Sequence, residues 1–318
     1  MRTTVLIPLH RSAPWRASIA EQLHELTGAA HVIVSDATGA DETLKELRDE
    51  CGHDPRITWL GTRPLAPGWV AHANDLLAQA TTEFVMWLPH DDRINAHWVT
   101  DAERLLDRHA DAVAACGPIQ AIQYGSAGRG GAIAIPSFAN DSETINRVGA
   151  AVDSLLTGRG GDLGIFFRSV VRKSLAPSLP TGLVGDDWAD VLWALRLLCI
   201  GPVAPMTAVY KKRWHDASTH ASWTDYTAEA GRLRRAIAQA MAGLPEPSHS
   251  EVLVGVWGRD SERQWAELQR QRIALEEEGQ RVDHALAVLR GDFEQSTSWR
   301  ATAPLRLISG LVRSVRRR

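Results

Sequence analysis

The stretch Phe84-Val85-Met86-Trp87-Leu88-Pro89-His90-Asp91-Asp92 decides the fold class of this chain. Five consecutive apolar residues are typical of a strand that is buried on both faces. Pro89 ends the run because it lacks the N–H group that a sheet ladder requires. Two adjacent carboxylates follow at once. A buried strand that ends in acidic residues predicts an α/β protein with a ligand site at the strand ends.

The apolar runs before this stretch alternate with helix-forming segments. The pattern predicts strands over residues 4–8, 31–35 and 57–60, and helices over residues 18–26, 42–51 and 69–80. Such alternation indicates a mainly parallel sheet with helices on both faces. Pro8, Asp36 and the pair Asp91-Asp92 all lie where a strand ends, so we expect them at one edge of the sheet.

Composition and charge exclude several other classes of protein. The net charge of −3 predicts no nucleic-acid partner, and three scattered cysteines argue against a disulfide framework or a cysteine zinc site. No apolar run approaches the roughly 18 residues of a spanning helix, and the N-terminus does not resemble a signal peptide. We therefore expect a soluble or peripheral protein.

Six motifs follow one another in an order that resembles family 2 glycosyltransferases. They are Val5 to Arg11, Val34-Ser35-Asp36-Ala37-Thr38, Gly68 to Asn74, Phe84 to Asp92, Gly185-Asp186-Asp187-Trp188 and Tyr210-Lys211-Lys212-Arg213-Trp214-His215. The resemblance extends from residue 3 to about residue 220 and implies a GT-A fold. It implies an inverting transferase. Residues 296–306 resemble a segment that often ends bacterial enzymes of surface-polysaccharide synthesis, which implies that pathway. The predicted contact of Asp36 with a pyrimidine base implies a UDP- or dTDP-sugar.

The resemblance also implies a divalent metal, Mg²⁺ or Mn²⁺, at the acidic motif. Asp92 would coordinate the metal and Asp91 would hold the ribose, or the two roles would be exchanged. Pro89 stands where the family usually has the first aspartate of its D-x-D motif. His215 would complete the metal site, although a lone histidine is more often structural. An Asp92→Asn variant is expected to lose metal-dependent nucleotide binding and to keep its fold.

The other predicted contacts with the nucleotide sugar come from the strand ends and the basic segment. Asp36 would accept the imide N–H of a pyrimidine base, unless it only forms a turn. Arg213 and Lys212 would bind diphosphate oxygens, or else lie on a solvated strand face. The remaining candidates are Pro8, His10, Arg11 and Asn74, where Arg11 replaces the usual asparagine of the family.

Asp187 is the predicted general base, with Asp186 as the alternative. The acceptor hydroxyl loses a proton as it attacks the anomeric carbon, and one carboxylate within hydrogen-bond reach is sufficient for an inverting displacement. Both aspartates are also suited to cap the helix that is predicted to begin there.

The C-terminal part of the chain differs in character from the rest. We predict a catalytic domain over residues 1–244, a helical extension over 245–295 and a basic tail over 296–318. Residues 261–293 place apolar side chains on a seven-residue repeat that Arg272 and Gly279 interrupt, which fits either packing on the chain's own domain or a short homodimer contact.

The tail has six arginines from residue 295 onward and no carboxylate, with Leu305, Ile308 and Leu311 on one helical face. This pattern predicts an amphipathic helix on an anionic membrane surface, or else a packed or disordered terminus. The expected location is the cytoplasmic face of the cell membrane, with a glycan or lipid-linked acceptor.

Two alternative functions remain open. A nucleotidyltransferase also uses a metal carboxylate in an α/β sheet, but it would normally have a glycine-rich loop after the first strand, which residues 10–15 lack. An inactive scaffold is the other alternative, although Asp91, Asp92 and Asp187 are all retained.

Overall fold

The computed structural model describes residues 2–36, 42–61, 68–123, 131–156, 160–181, 188–214, 237 and 248–295. The chain divides into two compact units, residues 1–257 and 258–318. The predicted boundary after residue 244 stays a prediction. No helix within the described ranges has both the length and the apolar character needed to cross a bilayer.

The first unit is built on a mixed seven-stranded sheet. Its strands are β1 (Thr3–Leu9), β2 (His31–Asp36), β3 (Ile57–Leu60), β4 (Phe84–Trp87), β5 (Ala114–Cys116), β8 (Val170–Arg172) and β9 (Val203–Pro205). The spatial order is β3-β2-β1-β4-β8-β5-β9. Strands β1 to β4 pair in parallel, as the sequence predicts, whereas β8 runs antiparallel to both of its neighbours.

A second sheet of three strands is the part that the sequence did not predict. It consists of β6 (Ile119–Gln123), β7 (Gly131–Ile133) and β10 (Tyr210–Trp214), in the order β10-β6-β7. Residues 208–210 are apolar and predict a strand there, but β10 begins at Tyr210 and continues into the basic segment. Lys212 and Arg213 therefore lie in β10, which pairs in parallel with β6.

Helices cover the large sheet and bury its apolar side chains. They are α1 (Arg16–Glu25), α2 (Glu42–Cys51), α3 (Trp69–Gln79), α4 (Trp98–Arg108), α5 (Thr144–Leu156) and α6 (Ala189–Ile200), and a 3₁₀ helix spans Gly160–Arg168. The glycine-rich sequence of residues 157–164 favours a mobile surface loop or lid, but residues 160–164 lie in this 3₁₀ helix. Leu163 and Phe166 are fully buried there because this 3₁₀ helix packs against strands β4 and β5 and against helices α5 and α6.

The last helix, α7 (Ser248–Gln295), is one uninterrupted helix of 48 residues. It lies within residues 245–295 and extends beyond the seven-residue repeat of residues 261–293 at both ends. The apolar side chains of its seven-residue repeat are exposed where they are described, with Leu275 at 73% and Leu289 at 64%. A homodimer through this face stays a prediction. The basic tail lies outside the described residues.

Candidate active site

Three parallel strands bring the first candidate residues to one edge of the sheet. Leu9, the last residue of β1, lies opposite Asp36, the last residue of β2. On the other side of β1, Leu6 lies opposite Trp87 at the end of β4. Because parallel strands end at the same edge, Asp36, the loop after β1 and the acidic turn after β4 are neighbours.

The acidic turn is fixed on two sides by backbone contacts. The Leu88 N–H donates to the Leu6 carbonyl at 2.8 Å, and His90 Nδ1 lies 3.3 Å from the Pro8 carbonyl oxygen. Arg93 exchanges two 2.9 Å backbone hydrogen bonds with Lys211. Burial lowers the pKa of His90, so the imidazole is neutral at pH 7.

Asp92 is buried and accepts three hydrogen bonds. Its Oδ2 accepts from Arg168 Nε and from the Tyr210 hydroxyl, each at 3.0 Å, and its Oδ1 accepts from the Arg213 backbone N–H at 3.0 Å. The two charged side chains are almost fully covered, with 1% exposure for Asp92 and 8% for Arg168. A carboxylate has about four acceptor positions, and three of them are occupied here.

The charges of this cluster follow from burial and proximity. Burial lowers the pKa of the Arg168 guanidinium, but the Asp92 carboxylate outweighs that effect and the net pKa is raised. Burial raises the pKa of Asp92 and Arg168 opposes the rise. Burial, helped by Asp92, also raises the pKa of the Tyr210 hydroxyl well above its usual value, so this hydroxyl remains a donor. The net pKa of Asp92 is raised, but the hydrogen bonds that its carboxylate accepts from Arg168 and from the Tyr210 hydroxyl favour an ion pair with a neutral phenol.

The two aspartates of the motif thus have different environments. Asp91 is half-buried at the edge, and its backbone carbonyl accepts from Arg213 NH1 at 3.2 Å. Among the described residues no group of three or more acidic, histidine or cysteine side chains could hold a metal. Mg²⁺ commonly takes one or two protein carboxylates and completes its shell with phosphates and water. One or two carboxylates at this edge would be enough for such a metal, and Asp91 is the more accessible of the two aspartates.

Lys212 and Arg213 lie against the acidic turn and not on a solvated face. Arg213 NH1 donates to Ser18 Oγ at 2.8 Å, and its guanidinium lies 5.3 Å from the ring centre of Trp15. Burial, together with the nearby Arg168 charge, lowers the pKa of Lys212 to about 8. Asp91 and Asp92 oppose that shift. A partly desolvated ammonium beside carboxylates is suited to bind a diphosphate.

The loop after β1 carries two exposed side chains, His10 and Arg11. Arg11 has a φ of 51°, in the left-handed region that side chains other than glycine rarely adopt. The His10 N–H donates to the buried Ser12 Oγ at 2.9 Å, which stabilises this conformation. The loop therefore holds both side chains next to Pro8. Their predicted contact with the nucleotide stays a prediction.

Asn74 holds another part of the backbone. Its Nδ2 donates to the Leu179 carbonyl at 3.0 Å, and its Oδ1 accepts the Leu179 N–H at 2.7 Å. The nitrogen and the oxygen of the Asn74 amide are therefore both hydrogen-bonded to Leu179, which lies in the segment that leads to residue 182. This geometry gives Asn74 a positioning role, and its predicted contact with the donor stays a prediction.

Three predicted residues lie outside the described parts of the chain: Asp186, Asp187 and His215. Their neighbours are described. Trp188 occupies the N-cap position of α6 with a φ of 67°, so neither aspartate is the residue at that position. Trp214 is the last residue of β10, which leads from Lys212 and Arg213 to His215.

Arg168 and Tyr210 both donate to Asp92, and neither is predicted as a site residue from the sequence. For Tyr210 the sequence shows only its place in the basic-aromatic motif. Arg168 follows the apolar run Ile165-Phe166-Phe167 and precedes a strand of only three residues. A charged residue between two buried segments is the one signal in the sequence that it would be buried with a partner. Nothing local indicates that the partner is Asp92, 76 positions away.

Comparison with solved structures defines the class of fold. The chain is similar to residues 1–349 of S. aureus TarS in complex with UDP-GlcNAc, at 18% identity and a TM-score of 0.56, covering 81% of this chain and 72% of that one. It is also similar to the mannosyltransferase PcManGT from Pyrobaculum calidifontis in complex with GDP-Man and Mn²⁺. That match has 16% identity and a TM-score of 0.50, covering 99% of this chain and 87% of that one.

These likenesses show that the chain has the GT-A fold, as the sequence predicts. At such low identity they carry the fold and not the activity. No family model matches the sequence, and no curated protein matches it.

Proposed function

We propose that this protein is an inverting glycosyltransferase that takes a sugar from a UDP- or dTDP-sugar. The observation that carries the proposal is the acidic turn after β4, held at the carboxyl edge of a GT-A sheet with Lys212 and Arg213 beside it. Carboxylates and cations placed together at one edge suit a metal-bound diphosphate.

The donor would lie across the ends of β1, β2 and β4. Asp36 would accept from the pyrimidine base, and the loop from Pro8 to Arg11 would lie along the nucleoside. We assign the metal to Asp91 and a positioning role to Asp92, because Arg168, Tyr210 and the Arg213 N–H already occupy Asp92. Mg²⁺ or Mn²⁺ would neutralise the leaving diphosphate. His215 follows β10 and is the proposed second protein ligand.

The transfer step needs one base. Asp187, or else Asp186, would accept the proton of the acceptor hydroxyl as its oxygen bonds to the anomeric carbon and the nucleoside diphosphate departs. Asn74 supports this role indirectly, since it fixes the backbone at Leu179, three residues before the segment that contains both aspartates.

The acceptor is proposed to be a glycan or a lipid-linked glycan of a cell-surface polymer. The basic tail supports this part, because arginines and apolar side chains on opposite helical faces suit an anionic membrane surface. The proposed place of work is the cytoplasmic face of the membrane.

The test is a turnover screen with two arms, both with the protein and Mn²⁺. One arm contains UDP-, dTDP- or GDP-sugars, and the other contains a nucleoside triphosphate with a sugar phosphate. Release of nucleoside diphosphate supports glycosyl transfer, whereas release of pyrophosphate from a nucleoside triphosphate and a sugar phosphate would identify a nucleotidyltransferase. A folded protein that binds these donors and turns over none of them, with or without saccharide acceptors, would fit an inactive scaffold.

The two base candidates are separated by substitution. Asp187→Asn is expected to keep donor binding and to lower the transfer rate by about 10²-fold or more, because the general base is removed. The matched control is Asp186→Asn, which should retain most of the rate. The opposite pattern would assign the proton transfer to Asp186.

A further inference from the structure

Trp69 places an aromatic surface at the same edge of the sheet as the acidic turn. It is the first residue of α3, which leads from β3 back towards the start of β4. A crossover helix begins at the carboxyl edge of a parallel sheet. His72, one turn further along, confirms this placement, since its Nε2 lies 2.9 Å from Oγ of Ser35 near the end of β2.

The indole of Trp69 contacts one buried aromatic ring, which packs against two others. Phe167 meets Trp69 edge to face, with ring centres 6.1 Å apart. Phe167 in turn stacks on Trp87 at 5.0 Å and contacts Trp193 at 5.7 Å. Each of these rings is less than 8% exposed. The support restricts the motion of the indole, so little conformational entropy remains to be lost when a ligand binds.

The same aromatic cluster is continuous with the candidate site. Phe167 directly precedes Arg168, whose Nε lies 3.0 Å from Asp92 Oδ2. Trp87 is the last residue of β4 and precedes the acidic turn by one residue, Leu88. A ligand ring on Trp69 would therefore lie at the margin of the proposed transfer site.

Trp69 is nevertheless 40% exposed, and it is the only aromatic residue among the large exposed hydrophobic residues of the described chain. A pyranose ring has one face made mainly of C–H groups, and such a face can cover an aromatic ring while the hydroxyls stay in water. We propose that Trp69 is a stacking platform for the pyranose ring of a sugar ligand.

This inference rests on the proposed function and names a binding surface within the same site. The ring that stacks is either the sugar of the nucleotide donor or a sugar of the acceptor. Both have the same chemistry towards an indole, so the experiment has one arm for each source.

The experiment compares wild type with Trp69→Leu, Trp69→Phe and the control Ile200→Ala. Ile200 is a matched exposed apolar residue, at 45% exposure, on the last turn of α6. The donor arm measures by calorimetry how much more tightly UDP-GlcNAc, UDP-glucose and UDP-galactose bind than UDP, with Mn²⁺ present. The acceptor arm measures binding of the methyl glycosides of glucose, galactose and N-acetylglucosamine by ligand-detected NMR.

Loss of a stacked ring should weaken binding about 5-fold in Trp69→Leu in one of the two arms. Trp69→Phe should retain most of the affinity, and Ile200→Ala should equal wild type. A loss in the donor arm assigns the ring to the donor, and a loss in the acceptor arm assigns it to the acceptor. Trp69→Gln serves in place of Trp69→Leu if that variant does not fold.

The platform would be overturned if Trp69→Leu bound sugar within 2-fold of wild type in both arms. It would also be overturned if the wild type bound no sugar ring in either arm. Failure of the proposed function is a separate result. In that case the wild type would bind neither UDP nor another nucleoside diphosphate with Mn²⁺, while the glycoside arm would still test Trp69.

Discussion

Asp92→Asn is expected to destabilise the fold, in contrast to the expectation from the sequence alone. The new amide side chain would face Arg168 with its N–H groups or with a weaker acceptor than the carboxylate. The Arg168 guanidinium would then stay buried without its counter-charge. The Tyr210 hydroxyl would lose a charged acceptor as well. Breaking a buried ion pair from one side costs about 3–5 kcal/mol. For a domain of this size that corresponds to a fall in Tm of about 6–20 °C.

The assay is urea unfolding followed by circular dichroism, with Asp91→Asn as the matched control. Asp91 is adjacent in sequence but half-buried, and its backbone contact with Arg213 survives the substitution. Asp91→Asn should change the free energy of unfolding by less than about 1 kcal/mol and should lose Mn²⁺-dependent nucleotide binding. A third variant, Asp92→Asn with Arg168→Met, should recover part of the lost stability because no unpaired charge remains.

An unchanged unfolding free energy in Asp92→Asn would refute the buried-pair argument. A loss of stability in Asp91→Asn that equals the loss in Asp92→Asn would also contradict it, because the two residues would then have the same structural role.

Four further predictions concern Lys212, Arg147 and the basic tail. Affinity for UDP with Mg²⁺ should fall as the pH rises through about 8, because Lys212 loses its charge there, and Lys212→Gln should flatten this dependence. Below pH 8 the folded protein must keep Lys212 charged in a buried position, which lowers its stability. The folded state releases this proton at a lower pH than the unfolded state, so the stability of the free protein should rise between about pH 8 and 10.5. Arg147→Leu should lower the unfolding free energy by about 3 kcal/mol, because the buried guanidinium donates to the carbonyls of Asp141 and Leu198. The control is Arg104→Leu, which should change the unfolding free energy by less than about 0.5 kcal/mol because the Arg104 side chain is 70% exposed. The full chain should bind anionic vesicles in low salt and a chain that ends at Gln295 should not; equal binding by both would refute the membrane role of the tail.

The sequence predicts the first half of the large sheet well, for a local reason. Strands β1, β2 and β4 each contain a continuous apolar run that is followed by a proline or a polar residue. The helices between the first four strands are long enough to show a period. Strand β8 has three residues, and nothing in so short a run specifies an antiparallel direction. The displacement of β10 has a similar origin, since its pairing with β6 depends on residues about 90 positions away.

The residues of the candidate site also differ in how far the sequence predicts their positions. The positions of Asp36 and Asp91 follow from strand ends, which are local features. The burial of Asp92 depends on Arg168 and Tyr210, which come from a 3₁₀ helix and from the second sheet. A pair of adjacent aspartates in the sequence therefore does not reveal which of them is exposed to a ligand.

The most direct test of the account is calorimetric titration of wild type and Asp91→Asn with UDP, dTDP and GDP, each with and without Mn²⁺. We expect wild type to bind UDP or dTDP, and we expect Mn²⁺ to strengthen this binding by at least 10-fold. Asp91→Asn should lose the metal-dependent part of the affinity and should unfold like wild type. A folded wild-type protein that binds none of these diphosphates with Mn²⁺ would contradict the account.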